Sequence, residues 1–223
     1  MTPRLAVFDV DGTLIDSRAI ITACMDRAFE AAGLPPPGYE RTRRIIGLSL
    51  GPGLNYLAPE ADEALRAQLL DHYRTAFFDM RHDPAFQSPA YAGAEALLHE
   101  LAEAGWVLGI ATGKSRRGLD ALLEQQAWAD LFSVSLCADD GPGKPHPHMV
   151  LANMDATRIG PEATFVIGDS EHDMAMAVAA GTQGIGVTWG FGTAQELDNA
   201  GAAHVVYTMD DLSALFRHGL SAA

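Results

Sequence analysis

The chain reads as an α/β protein: a doubly wound, Rossmann-like parallel sheet core with an inserted α-helical cap. Three observations point there. Uninterrupted apolar runs end, each time, in a cluster of polar or charged residues. Helical patterns lie between these runs, as expected when helices bury both faces of a parallel sheet. One long stretch, 17–83, carries helical patterns but no such run.

The elements follow in order. Leu5-Ala6-Val7-Phe8 predicts a buried strand opening into Asp9-Val10-Asp11-Gly12-Thr13. A helical pattern at 20–32 is closed by Gly33 and Pro35-Pro36-Pro37, which stop helices. A second covers 61–78, and Gly47-Leu48-Ser49-Leu50-Gly51 between them reads as a flexible turn. Hinges are expected near Asp16 and within 84–89, so that residues 1–15 and 85–223 form the core and 16–84 the cap. A helix at 94–104 leads to the strand Trp106-Val107-Leu108-Gly109-Ile110-Ala111, which ends in Thr112-Gly113-Lys114. Helices at 117–126 and 149–154 precede the strand Thr164-Phe165-Val166-Ile167, which ends in Gly168-Asp169. A helix at 174–180, strands at 185–187 and 204–207 and a helix from Asp210 complete the pattern. Ligands of such sheets bind beyond the carboxyl ends of the strands, so the polar clusters are expected to converge there.

Composition narrows the partners. The 223 residues carry 29 acidic against 15 basic side chains, a formal charge of −14. That field repels phosphate backbones and anionic lipid, which argues against nucleic acid and membrane surfaces. A small anion remains compatible if a metal ion and a few cations reverse the sign inside one pocket. Cys24 and Cys137 make no disulfide framework. Asp9 cuts the first apolar run too short for a secretory signal. Residues 174–195 lack charge, but five glycines between Gly181 and Gly192 make a membrane span a poor reading. A reduced, cytoplasmic protein, monomeric or homodimeric, is expected.

Four clusters carry chemistry. Asp9 and Asp11, separated by one residue at a strand end, suit a nucleophile beside a proton carrier, although Asp-Gly is also a common turn. Thr112-Gly113-Lys114-Ser115 lacks the upstream glycine of a nucleotide-binding P-loop, since Leu108 stands there. It offers either a small anion site at a helix start or an N-cap. Lys144, within Gly143-Lys144-Pro145, reads as a positioned cation or as a loop lysine on the surface. Gly168-Asp169-Ser170-Glu171-His172-Asp173 suits a hard cation such as Mg²⁺, or the capping of a helix, with Glu171 and His172 turned to solvent.

Taken together and in this order, the clusters resemble the four motifs of the haloacid dehalogenase superfamily, and the insertion after the first sits where that superfamily carries its helical cap. Within it the chain looks most like the phosphoglycolate phosphatase group. The resemblance implies that Asp9 is the nucleophile that becomes an aspartyl-phosphate, that Asp11 is general acid and then base, and that Thr13 orients Asp11. It implies that Thr112, the N–H of Gly113 and Lys144 hold the phosphoryl oxygens. Mg²⁺ would be held by Asp9, the main-chain carbonyl of Asp11 and Asp169, with Asp173 beside it.

The expected activity is Mg²⁺-dependent hydrolysis of a small phosphorylated metabolite. A phosphosugar mutase of the same fold and a non-catalytic phosphate-binding protein are the alternatives. Arg41, Arg43 and Arg44 precede the cap turn, where one of them would meet a substrate carboxylate or all would lie on a solvated helix face.

Overall fold

The computed structural model describes residues 3–218 and 220. The first strand, β1 (Arg4–Phe8), is followed by α1 (Arg18–Ala31), α2 (Gly38–Thr42), α3 (Leu50–Leu57), α4 (Glu63–Met80) and α5 (Ala94–Glu103). Then come β2 (Trp106–Ala111), α6 (Arg116–Gln125), β3 (Val134–Leu136), α7 (His148–Thr157) and β4 (Thr164–Gly168). The chain closes with α8 (Glu171–Ala179), β5 (Gln183–Val187), α9 (Ala194–Asn199), β6 (His204–Val206) and α10 (Met209–His218).

The strands form one six-stranded parallel sheet in the order β3-β2-β1-β4-β5-β6. The order reverses between β1 and β4, and a crevice opens at such a switch point beyond the strand ends. Alternate residues of β1 face opposite sides, as a strand requires. Ala6 and Phe8 join the core under α5, α6 and α10, while Leu5 and Val7 join the one under α7 and α8.

Helices α1, α3 and α4 bury a third cluster of their own, built on Ile20, Met25, Leu54, Leu69 and Met80. Phe191, from the loop after β5, also belongs to it. The chain enters and leaves this helical segment through two strands of backbone lying side by side. Asp16 N–H donates to the Pro89 carbonyl at 2.9 Å and Tyr91 N–H to that of Leu14 at 2.9 Å.

Four elements, α2, α3, β3 and α9, have no counterpart in the sequence reading. The turn expected at 47–51 is only half a turn, because α3 starts at Leu50. Pro52 falls in its first helical turn, where a missing N–H costs nothing, and Gly53 lets Ile45 pack close. Among the described residues no helix is long and apolar enough to cross a membrane.

Candidate active site

Asp9 leaves β1 at the switch point, and its N–H donates to Ile167 of β4 at 2.8 Å, which ties it to the neighbouring strand. Its carboxylate is buried, as are Asp169, Asp173 and Lys144. Lys144 Nζ lies 2.6 Å from Asp9 Oδ1 and 2.6 Å from Asp173 Oδ1. Lys144 is therefore a positioned cation and not a loop lysine on the surface. Ligand oxygens of Asp9, Asp169 and Asp173 all lie within 4.8 Å of one another.

Asp169 is held from several sides. The Thr13 hydroxyl donates to its Oδ1 at 3.1 Å and the Phe191 N–H to its Oδ2 at 2.7 Å. The Gly192 N–H donates to its main-chain carbonyl at 3.0 Å. Thr13 thus reaches Asp169, whereas the family resemblance has it orienting Asp11. Gly12 stands at φ +89°, and a Cβ there would collide with the Asp169 carboxylate, so the turn after Asp11 admits only glycine. Capping of α8 falls to Ser170, whose hydroxyl accepts from Asp173 N–H while the Asp173 carboxylate accepts from Ser170 N–H. That frees Asp169 to face the cluster.

The electrostatics follow from burial. Three carboxylates share one ammonium where water cannot screen them. Asp9 is pushed up to about 7, chiefly by burial; Lys144 opposes this, and the charges of Asp173 and Asp11 add to it. Asp169 is raised well above the carboxylate range by burial and by the charges of Asp9 and Asp173. Burial pulls the Lys144 ammonium down, but Asp173 and Asp9 more than offset it and its pKa is raised. The pocket is short of positive charge, and the buried Asp9 Oδ2 has no hydrogen-bond partner among the described residues. An all-oxygen donor set of this kind fits a divalent cation.

Around this centre stand the second and third clusters. Thr112 follows β2 and is fully buried, and its hydroxyl accepts from Lys114 N–H at 3.3 Å. Lys114 Nζ pairs with Asp11 Oδ1 at 2.9 Å. Residues 47–49 from the helical segment lie directly over these loops. A Cβ at Gly113 would collide with the Leu48 carbonyl, one at Gly143 would sit 2.5 Å from Ser49 Oγ, and one at Gly47 2.8 Å from Ser170 Oγ. The helical segment is closed onto the site.

Arg43 anchors that closure, so the solvated-face reading does not hold for it. Its guanidinium binds Glu196 of α9 through two bonds, at 3.1 and 3.2 Å, and donates to the Phe191 carbonyl at 3.2 Å. Arg41 donates to the Leu57 carbonyl. His172, expected in solvent, meets the Arg44 carbonyl at 3.0 Å. The sequence reading assigns no role to Lys114, Phe191 or Glu196. The signal for Phe191 is the pair of glycines that flank it; nothing local pairs Arg43 with a residue 153 positions away.

Known proteins resemble this chain over most of its length. A family model described as haloacid dehalogenase-like hydrolase matches residues 6–187. A phosphoglycolate phosphatase of Pseudomonas putida is 31% identical over 222 residues, covering 96% of this chain and 78% of that protein. Another, of Xanthomonas campestris pv. campestris, is 31% identical over 196 residues and covers 85% of each. The crystal structure of "a predicted phosphatase from Clostridium acetobutylicum" superposes with a TM-score of 0.85 at 28% identity, over 96% of this chain and 98% of that one. With the carboxylates gathered at the switch point of the sheet, these matches mean that the chain belongs to the haloacid dehalogenase-like hydrolase family.

Proposed function

We propose that this protein is a Mg²⁺-dependent phosphatase that hydrolyses a small phosphorylated metabolite, phosphoglycolate-like in size, through an aspartyl-phosphate on Asp9. The observation that carries the reading is Asp9 itself: a buried carboxylate with one oxygen on Lys144 and the other unpartnered among the described residues, at the mouth of the sheet. The names of the relatives from Pseudomonas putida and Xanthomonas campestris support the substrate class.

In this reading residues 1–15 and 85–223 form the catalytic core and 16–84 a cap that shuts water out during the reaction. An Asp9 oxygen attacks phosphorus, the ester P–O bond breaks, and Asp11 gives its proton to the departing oxygen. Asp11 then takes a proton from the water that attacks the aspartyl-phosphate, which releases phosphate and restores Asp9. Lys144, Thr112 and the N–H of Gly113 hold the transferring oxygens, and Thr13 steadies Asp169. Asp9, the Asp11 carbonyl and Asp169 would hold the cation; both oxygens of Asp173 are already engaged by Lys144 and Ser170, which suits contact through water. A bound divalent cation supplies the positive charge that lets an anionic nucleophile meet an anionic phosphate.

The test is phosphate release across phosphoglycolate, sugar phosphates, nucleoside monophosphates and pyrophosphate, with Mg²⁺ and with chelator. Cation-dependent release, with preference for a small monoester, is expected. An isomerised sugar phosphate without free phosphate would replace this reading by a mutase. Binding without turnover of any of these compounds would replace it by a phosphate-binding protein.

A further inference from the structure

Only two of the 15 basic residues are lysines, Lys114 and Lys144, and both pair with aspartates of the site. They are not equivalent. The Lys144 side chain is wholly enclosed and bound by two carboxylates, whereas that of Lys114 is 15% exposed and, among the described residues, has Asp11 as its only ion-pair partner. The reaction proposed above uses Lys144 and leaves Lys114 without a role.

Position supplies one. A general acid acts from hydrogen-bond reach, about 2.6–3.2 Å, of the oxygen it protonates. Lys114 Nζ stands 2.9 Å from the carboxylate of Asp11, the acid that serves the leaving group in the reaction proposed above. The ammonium and the departing oxygen are therefore within roughly 6 Å of each other, a span that an acid group on the next carbon of the leaving alcohol covers. Space beyond is limited, because residues 47–49 press on the Gly113 and Gly143 loops. A chain of charge −14 repels a second anionic group unless a local cation receives it. Lysine suits such a receptor, because a compact charge on a flexible stem changes partners readily, where arginine would lock onto Asp11 as a planar fork.

We propose that Lys114 is the specificity residue that selects phosphoglycolate-like substrates, by receiving the carboxylate on their leaving group. The proposal rests on the phosphatase reading above. Lys114 leaves Asp11 for the substrate carboxylate, and Asp11 turns to the ester oxygen.

Two phosphomonoesters of similar size test it: 2-phosphoglycolate, and ethyl phosphate, which has a methyl group in place of the carboxylate. At physiological ionic strength the wild type is expected to prefer phosphoglycolate in kcat/KM. Lys114→Met should remove about ten- to a hundredfold of that preference, the range of a charge-assisted hydrogen bond, mainly through the KM for phosphoglycolate, so that the loss on phosphoglycolate exceeds any loss on ethyl phosphate by that factor. Lys114→Arg should keep part of the preference, which separates charge from folding. An equal loss on both esters would overturn the proposal, since Lys114 would then act only by steadying Asp11; so would no loss on either. A second arm needs no turnover. With carbon-13 on the lysine ε-methylenes the protein gives two lysine signals, and Lys114→Arg removes and so assigns one. In Asp9→Asn protein, phosphoglycolate should shift the Lys114 signal and ethyl phosphate should not, while both shift that of Lys144. A Lys114 signal that ignores phosphoglycolate refutes the carboxylate site. Failure of the wild type to hydrolyse either ester refutes the phosphatase reading instead, and the lysine signal still decides the site.

Discussion

As the proposed nucleophile Asp9 has to be anionic, yet its surroundings resist that charge. Burial holds its folded pKa near 7 against an ordinary value of 3.8, so the metal-free fold favours the neutral acid. A raised carboxylate pKa contributes stability that is fully present below the unfolded value and is lost as pH rises through the folded one. Asparagine keeps the shape of the neutral form and cannot ionise. In chelator at pH 8, Asp9→Asn should therefore melt above the wild type, while its phosphate release with Mg²⁺ supplied should fall by roughly a thousandfold or more. Thermal unfolding in chelator and initial rates in Mg²⁺ check the two halves. Normal turnover by the variant would overturn the covalent mechanism. A lower melting temperature would mean that the pair with Lys144, at 2.6 Å, outweighs the cost of burial.

Arg43 and Glu196 show what one ion pair does between elements. Glu196 caps α9 by accepting from Thr193 N–H and also takes both arms of the Arg43 guanidinium. Arg43 first, and then the Thr193 N–H, pull its pKa from 4.5 down to about 2. A depressed carboxylate contributes stability above its unfolded value and loses it as pH falls through the folded one. The wild type should therefore exceed Glu196→Gln by on the order of 1 kcal/mol near neutrality, after allowance for solvent screening of a half-buried pair. That margin should narrow below pH 4.5 and close near pH 2 in denaturant titrations across pH; a margin independent of pH would assign it to packing. The pair also marks the limit of what the sequence discloses. Strands β1, β2 and β4 are legible because their apolar runs are long and end in acids or hydroxyls. Strand β3 is not, since three half-buried residues at a sheet edge leave no periodicity. Helix α3 is hidden by Gly51, Pro52 and Gly53, which break helices elsewhere and here occupy its first turn and a close contact with Ile45. Asp9, Asp169 and Asp173 are legible because they follow the ends of β1 and β4, and Lys144 because Gly143 and Pro145 fix the backbone around it. The partner of Arg43 is set by tertiary approach alone, and no local pattern encodes that.

At the scale of the whole molecule the helical segment and the carboxylate cluster meet in one residue. The Phe191 side chain is buried in the cluster formed by α1, α3 and α4, while its N–H binds Asp169 Oδ2 at 2.7 Å and its carbonyl accepts from Arg43. Closure of the helices and placement of Asp169 are thus coupled through a single loop. Coupling between two such events is reciprocal, so whatever organises Asp169 also favours closure. A cation that binds only the folded site stabilises it by about 2.7 kcal/mol at a hundredfold excess over its dissociation constant. For a chain of this size each kcal/mol raises the melting temperature by about 2–4 °C. Saturating Mg²⁺ should therefore raise the melting temperature of the wild type by several degrees. Asp169→Asn should abolish the shift. Phe191→Ala retains every carboxylate but uncouples the loop from the helices, so it should melt lower and bind Mg²⁺ more weakly, with the shift restored only at higher cation concentration. Calorimetric titration of the three proteins with Mg²⁺ separates affinity from stability. If Phe191→Ala lowered the melting temperature but left the Mg²⁺ affinity unchanged, the aromatic ring would be packing alone and the two events independent. A full shift in Asp169→Asn would move the cation away from the three buried carboxylates altogether.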